Sequence, residues 1–261
     1  MPKYRGFIFD LDGTIYRGER ALPGAVETVQ TLREQGRRVI FMSNKPLEPR
    51  SAYAAKLTRL GVPTEPADVL TSPVVLAHYL RGEMPEARLF VIGEPPLLEE
   101  MQEAGFRLSN DPAEVDVVVA AFDRTFNYAK WNTAFQSIRQ GARFVATNAD
   151  RTCPVEGGEI PDCAGIIAAL EVTTGKKVEL VAGKPSRLMI QAGLDRMGLP
   201  AEQVLMVGDR LETDILMGRR AGTATALVLT GVTRRDQLDG SEIQPDYVLE
   251  NVGQVLKAVN S

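Results

Sequence analysis

Asp10 and Asp12 stand one residue apart where an apolar run, Phe7-Ile8-Phe9, gives way to Gly13-Thr14. Residues i and i+2 of a strand face the same side, so past its end their carboxyl groups and carbonyls can converge on one point. Two carboxylates that close repel each other unless a cation or a shared proton holds them. A small oxygen-loving cation such as Mg2+ suits the arrangement, because it takes carboxylates and keeps waters that a substrate phosphate can replace. The same residues also suit an ordinary strand-to-turn junction. A calcium loop would need a glutamate at its twelfth position, and counting from Asp10 that position is Ala21.

Three further groups have similar placements. Ser43-Asn44 follows Val39-Ile40-Phe41-Met42, Lys184 follows Val178-Glu179-Leu180-Val181-Ala182, and Asp209 follows Val204-Leu205-Met206-Val207. These runs read as buried strands, and in an open doubly wound sheet ligands bind beyond the strands' carboxyl ends. If the ends meet, three acids can hold one divalent cation, while a hydroxyl, an amide and an ammonium supply donors to phosphate oxygens. An aspartate can itself attack phosphorus, and phosphoryl transfer asks the protein mainly for alignment and charge neutralisation. Each group has a plain reading as well: Lys184 as a surface lysine beside Pro185, Ser43-Asn44 as a cap, Asp214 as an acid favoured by a helix N-terminus. A P-loop is excluded, since proline follows Gly183-Lys184 and position 178 is valine.

Bulk properties narrow the class. A net charge of -4 without a Lys/Arg cluster leaves no basic footprint for nucleic acid, and no apolar run is long enough to span a membrane. The two cysteines, Cys153 and Cys163, argue against a disulfide framework and fit a reducing cytoplasm. The N-terminus leads directly into the first strand, which leaves no room for a signal peptide. His78 is the single histidine, so acid–base work falls to carboxylates.

The elements that must position these groups alternate strand and helix. Such alternation predicts an α/β fold with a doubly wound parallel sheet. The middle of the chain restarts the alternation with strands at 89–93, 115–121 and 143–148, an irregular loop to Asp162 and a helix from Cys163 to Thr174 closed by Gly175. Polar punctuation at Arg81-Gly82-Glu83 and Gly175-Lys176-Lys177 flanks this block. Residues 79–178 therefore read as an inserted α/β cap domain, with 1–78 and 179–261 forming the core. Trp131, at helical spacing with Tyr128 and Phe135, reads as cap core. A helix is expected from Asp214 to about Ala221.

Asp10-Leu11-Asp12-Gly13-Thr14, Ser43-Asn44, Lys184 and Gly208-Asp209-Arg210-Leu211-Glu212-Thr213-Asp214 resemble, in order, the four motifs of the haloacid dehalogenase-like (HAD) superfamily. With Gly183-Lys184-Pro185 they look like its NagD/p-nitrophenyl phosphatase branch, whose C2-type cap lies between the second and third motifs. The resemblance implies an Mg2+-dependent phosphatase acting on small phosphate monoesters of the sugar phosphate, phosphoglycolate or nucleotide monophosphate type. It makes Asp10 the nucleophile and Asp12 the general acid/base; the Asp10 carboxylate, the Asp12 carbonyl and Asp209 would be metal ligands. Asp214 would orient metal-bound water or Lys184, and Ser43, Asn44 and Lys184 would bind phosphate. Asn148 and Asp150, in the cap, become candidates for reading the leaving group, with a solvated turn as the alternative. A phosphomutase on the same core and a non-catalytic phosphate sensor are the rival functions, and a homodimer is left open.

Overall fold

The computed structural model describes residues 3–155 and 157–260. The chain divides into two compact units, one comprising Met1–Ser43, Arg50–Leu70 and Lys184–Ser261, the other Asn44–Pro49 and Thr71–Gly183.

The first unit is built on a six-stranded sheet in the order Tyr247–Leu249, Ala224–Val228, Val204–Gly208, Gly6–Asp10, Arg38–Ser43 and Val69–Thr71. Gly6–Asp10 runs parallel to both neighbours, with Phe9 level with Val207 on one side and Phe41 on the other. Parallel strands bury both faces, and alternate residues here serve opposite layers. Phe7, Phe9, Phe41 and Val207 pack with Val29 and Leu32 of the helix Ala25–Glu34 and with Val252 and Val255. On the other face Gly193, in the helix Arg187–Met197, lets the sheet approach closely, since a Cβ there would lie 2.5 Å from Met42 Cε. This is the doubly wound α/β sheet expected. The central strand carries Asp10 at its carboxyl end, and the adjoining strand Val204–Gly208 delivers Asp209.

The second unit has its own parallel sheet, ordered Leu180–Val181, Arg143–Ala146, Val117–Ala120, Arg88–Ile92 and Arg107–Leu108. Phe90, Val118 and Phe144 face a core completed by Ile138 of the helix Tyr128–Arg139 and by Ile167 and Leu170 of the helix Cys163–Thr174.

Several expectations need correction. The unit is wider than 79–178. Leu180–Val181 pairs with Arg143–Ala146 in the second sheet, so the strand before Lys184 is not part of the core sheet. Gly82, read as punctuation before the second unit, lies inside the helix Ser72–Glu83, whereas Gly175 closes the helix Cys163–Thr174 as expected, as its left-handed C-cap. The stretch before Asp162 is not irregular: Thr152–Val155 and Gly158–Pro161 form an antiparallel pair. The prolines at 154 and 161 concealed it, because proline ordinarily argues against a strand. Trp131 packs against the cap core as expected, but Tyr128 is 78% exposed and meets it edge-on from outside. Among the described residues no helix is long and apolar enough to cross a membrane.

Candidate active site

Asp10, Lys184, Asp209 and Asp214 meet in the first unit, and all four are buried. The carboxylates of Asp10, Asp209 and Asp214 each offer an oxygen within 4.8 Å of the others. Lys184 Nζ donates to Asp10 Oδ1 and, at 2.7 Å, to Asp214 Oδ1. The lysine is therefore no surface residue at a turn.

Asp214 reaches this position by an unusual route. Residues Leu211–Ile215 form a π-helical turn that continues as the helix Leu216–Ala221. Asp214 thus sits in the first turn of a helical run that begins at Leu211, where the dipole favours an acid, and from there its Oδ1 reaches Lys184. Its Oδ2 accepts from Arg210 N at 3.2 Å. A π-turn widens the helix by a residue and recurs at functional sites. Gly208 makes the approach possible, because any Cβ there would lie 2.3 Å from the Asp214 carboxyl carbon.

Asp209 is held by a loop that the sequence did not reveal. Its Oδ2 accepts from Val232 N at 2.7 Å, and its carbonyl accepts from Thr233 N at 3.1 Å. A Cβ on Gly231 would fall 1.8 Å from the same Oδ2, so only glycine fits. Thr230 Oγ1 donates to Gly13 O at 2.6 Å and ties this loop to the turn after Asp12. Thr230-Gly231-Val232-Thr233 follows an apolar strand and is rich in turn residues; that placement is the one signal by which it could have been found.

The electrostatics follow from burial. Burial drives the Asp10 carboxyl up from 3.8 to about 6; Lys184 opposes this and Asp214 adds to it. Burial, then Asp10 and Asp214, push Asp209 well above the usual carboxylate range. At Lys184 burial works against the charge, but Asp10 and Asp214 outweigh it and hold the ammonium protonated beyond its ordinary range. The cluster carries more acid than Lys184 neutralises, and hard oxygen donors so placed suit a divalent cation such as Mg2+. Asp12, half-buried just past the strand, stays outside the group of three converging carboxylates.

The remaining candidates divide between the units. Ser43 is buried at the end of its strand in the first unit, while Asn44 begins the second. Asn148 and Asp150 lie in the second unit, where Asn44 Nδ2 donates to Asp150 Oδ2 at 3.1 Å. Asn148 is 1% exposed, and its Nδ2 donates to both Asp150 and Asp162. His78 is exposed on the helix Ser72–Glu83 of the second unit.

A family model described as haloacid dehalogenase-like hydrolase matches residues 7–107, and a second HAD-like hydrolase model matches 181–255. The chain is 39% identical to sugar-phosphatase AraL of Bacillus subtilis over 252 residues, covering 97% of this chain and 92% of that one. The solved structure of 4-nitrophenylphosphatase from Thermotoga maritima superposes with a TM-score of 0.94 at 36% identity, covering 98% of each chain. NagD from E. coli K-12 superposes with a TM-score of 0.89 at 31% identity, covering 97% of this chain and 98% of that one.

Proposed function

Because the chain belongs to the haloacid dehalogenase-like hydrolases and is one of their NagD-like phosphatases, we propose that it hydrolyses small phosphate monoesters through a phosphorylated Asp10. The observation that carries this reading is the buried bridge of Lys184 between Asp10 and Asp214, with Asp209 alongside.

Asp10, Asp209 and the carbonyl of Asp12 would hold Mg2+. When bound, the ion neutralises negative charge on the phosphoryl group and lowers the barrier to attack by an anion. An Asp10 carboxylate oxygen attacks phosphorus while the bond to the leaving oxygen breaks. The half-buried Asp12 gives its proton to the departing alkoxide. Water then attacks the phosphorus of the aspartyl-phosphate, Asp12 takes back a proton, and Asp10 is released with inorganic phosphate. Lys184, fixed by Asp214, keeps a positive charge beside Asp10 throughout. Ser43 and the backbone of the Ser43-Asn44 turn would add donors to the phosphoryl oxygens, as alignment of the transferred group demands.

A sugar phosphate is the substrate class favoured, on the 39% identity to sugar-phosphatase AraL. The deciding experiment measures inorganic phosphate from a panel of sugar phosphates, phosphoglycolate and nucleotide monophosphates, with Mg2+ and then with chelator. Release that depends on Mg2+ is expected, fastest with sugar phosphates. Substrate consumption without free phosphate would indicate transfer to a second hydroxyl, and silence across the panel would indicate a phosphate sensor.

A further inference from the structure

Asn44, assigned above to the phosphoryl group, has its side chain committed within the second unit. Its Nδ2 donates to Asp150 Oδ2 at 3.1 Å, and the same oxygen accepts from Asn148 Nδ2 at 3.2 Å. Asn148 Nδ2 also donates to Asp162 Oδ1 at 3.1 Å. Asp162 is in turn the N-cap of the helix Cys163–Thr174, accepting from Cys163 N at 2.6 Å. The backbone carbonyl of Asp150 accepts from Ala164 N at 3.0 Å, so the first turn of that helix fixes both ends of the loop.

The far side of Asn44 is equally constrained. Its carbonyl accepts from Ser72 Oγ at 2.8 Å. Its Oδ1 lies over Gly183, where a Cβ would come within 2.5 Å, and Gly183 N donates to Thr147 O at 2.7 Å. Turning the Asn44 carboxamide toward a ligand would break the bond to Asp150 and lift the side chain off Gly183. Holding it instead fixes the backbone at Ser43-Asn44. Linked polar groups of this kind, fully satisfied, specify one geometry.

Resting on the phosphatase reading, we propose that Asp150 is a positioning residue for the phosphate-binding Ser43-Asn44 turn. It holds Asn44, and through it the Ser43-Asn44 turn, in the geometry that receives the phosphoryl group; Asn148 and Asp162 brace it from behind. Asp150 therefore serves every ester alike instead of choosing among leaving groups.

The test is a double-mutant cycle of Asp150→Ala and Asn44→Ala, with Asp150→Asn as the conservative variant. Two quantities are read: kcat/KM on an aryl, a sugar and a nucleotide monoester, and calorimetric affinity for inorganic phosphate with Mg2+. Asp150→Ala should lower kcat/KM by about tenfold on all three esters and weaken phosphate binding by about the same factor. Asp150→Asn keeps an acceptor oxygen and should recover most of the loss. In the Asn44→Ala background Asp150→Ala should add little, since both changes break one interaction. A loss confined to one leaving group, an unchanged phosphate affinity, or additive effects in the cycle would each overturn the proposal. If the unmutated protein hydrolyses no ester, the phosphatase reading fails by itself, and the phosphate-affinity cycle still decides the role of Asp150.

Discussion

The two parallel sheets both end strands in acids, and the surroundings of those acids differ. In the second unit Glu94 follows the strand Arg88–Ile92 and takes a two-point ion pair from Arg124, at 2.7 Å to each oxygen. Asp123, after Val117–Ala120, is paired with Lys130 at 2.5 Å and accepts from Thr125 as well. Arg124 holds the Glu94 carboxyl below its ordinary range. In the first unit Lys184 bridges Asp10 and Asp214, and Asp10 and Asp209 are both pushed upward. Acids balanced one for one by their own cations brace a fold. Acids left in excess in a buried cluster are poised to take a cation and do chemistry.

The contrast is broken most directly by neutralising one acid in each sheet. Asp10→Asn removes the proposed nucleophile and should lower phosphate release by at least about a thousandfold. Asp123→Asn should leave turnover within about threefold, because Asp123 lies outside the reacting groups. Equal losses in the two variants would erase the distinction.

Removing the cations comes next. Lys184→Ala leaves buried acids uncompensated and should cost about 3–5 kcal/mol of stability without metal, partly restored by Mg2+. Lys130→Met, at a partly exposed pair, should cost about 1–3 kcal/mol with no Mg2+ rescue. Denaturant melts with Mg2+ and with chelator separate the two; rescue of Lys130→Met by Mg2+ would contradict the assignment.

The pH dependence sharpens the same point. With its pKa raised from 3.8 to about 6, Asp10 favours folding of the metal-free protein below its unfolded value, and that contribution is lost as pH rises through about 6. A divalent cation needs the ionised carboxylate, so stabilisation by Mg2+ should grow over this window and level off above it. Thermal melts with and without Mg2+ from about pH 4 to pH 8 read this directly. A metal-induced shift that ignores pH would remove Asp10 from the ligand set.

The smallest effect concerns the loop behind Asp209. A methyl group at Gly231 would sit 1.8 Å from Asp209 Oδ2 and must displace it. Gly231→Ala should weaken Mg2+ binding by about tenfold while costing no more than about 2 kcal/mol of stability. Titration of Mg2+ against melting temperature checks this, and an unchanged midpoint would show that the loop does not position Asp209.

Sequence reasoning located Asp10, Lys184 and Asp209 because each ends or follows an apolar strand, and chemistry in such sheets gathers at carboxyl ends, whereas Asp214 was found only through the resemblance of its motif. It placed the strand before Lys184 in the wrong sheet, since a two-residue strand such as Leu180–Val181 shows its partner only by pairing. It missed Gly231, whose requirement is set by Asp209, a residue distant in sequence.

The α/β class, the strand-end placement of the acids and the kind of chemistry they can do are legible in the chain, because these depend on short-range periodicity and on residue type. Which acids are balanced and which are in excess emerges on folding. Asp10 and Asp123 both follow apolar strands; one shares Lys184 with Asp214 and the other has Lys130 to itself. Charge balance in a buried site is a sum over neighbours brought together by folding, and local spacing does not contain that sum.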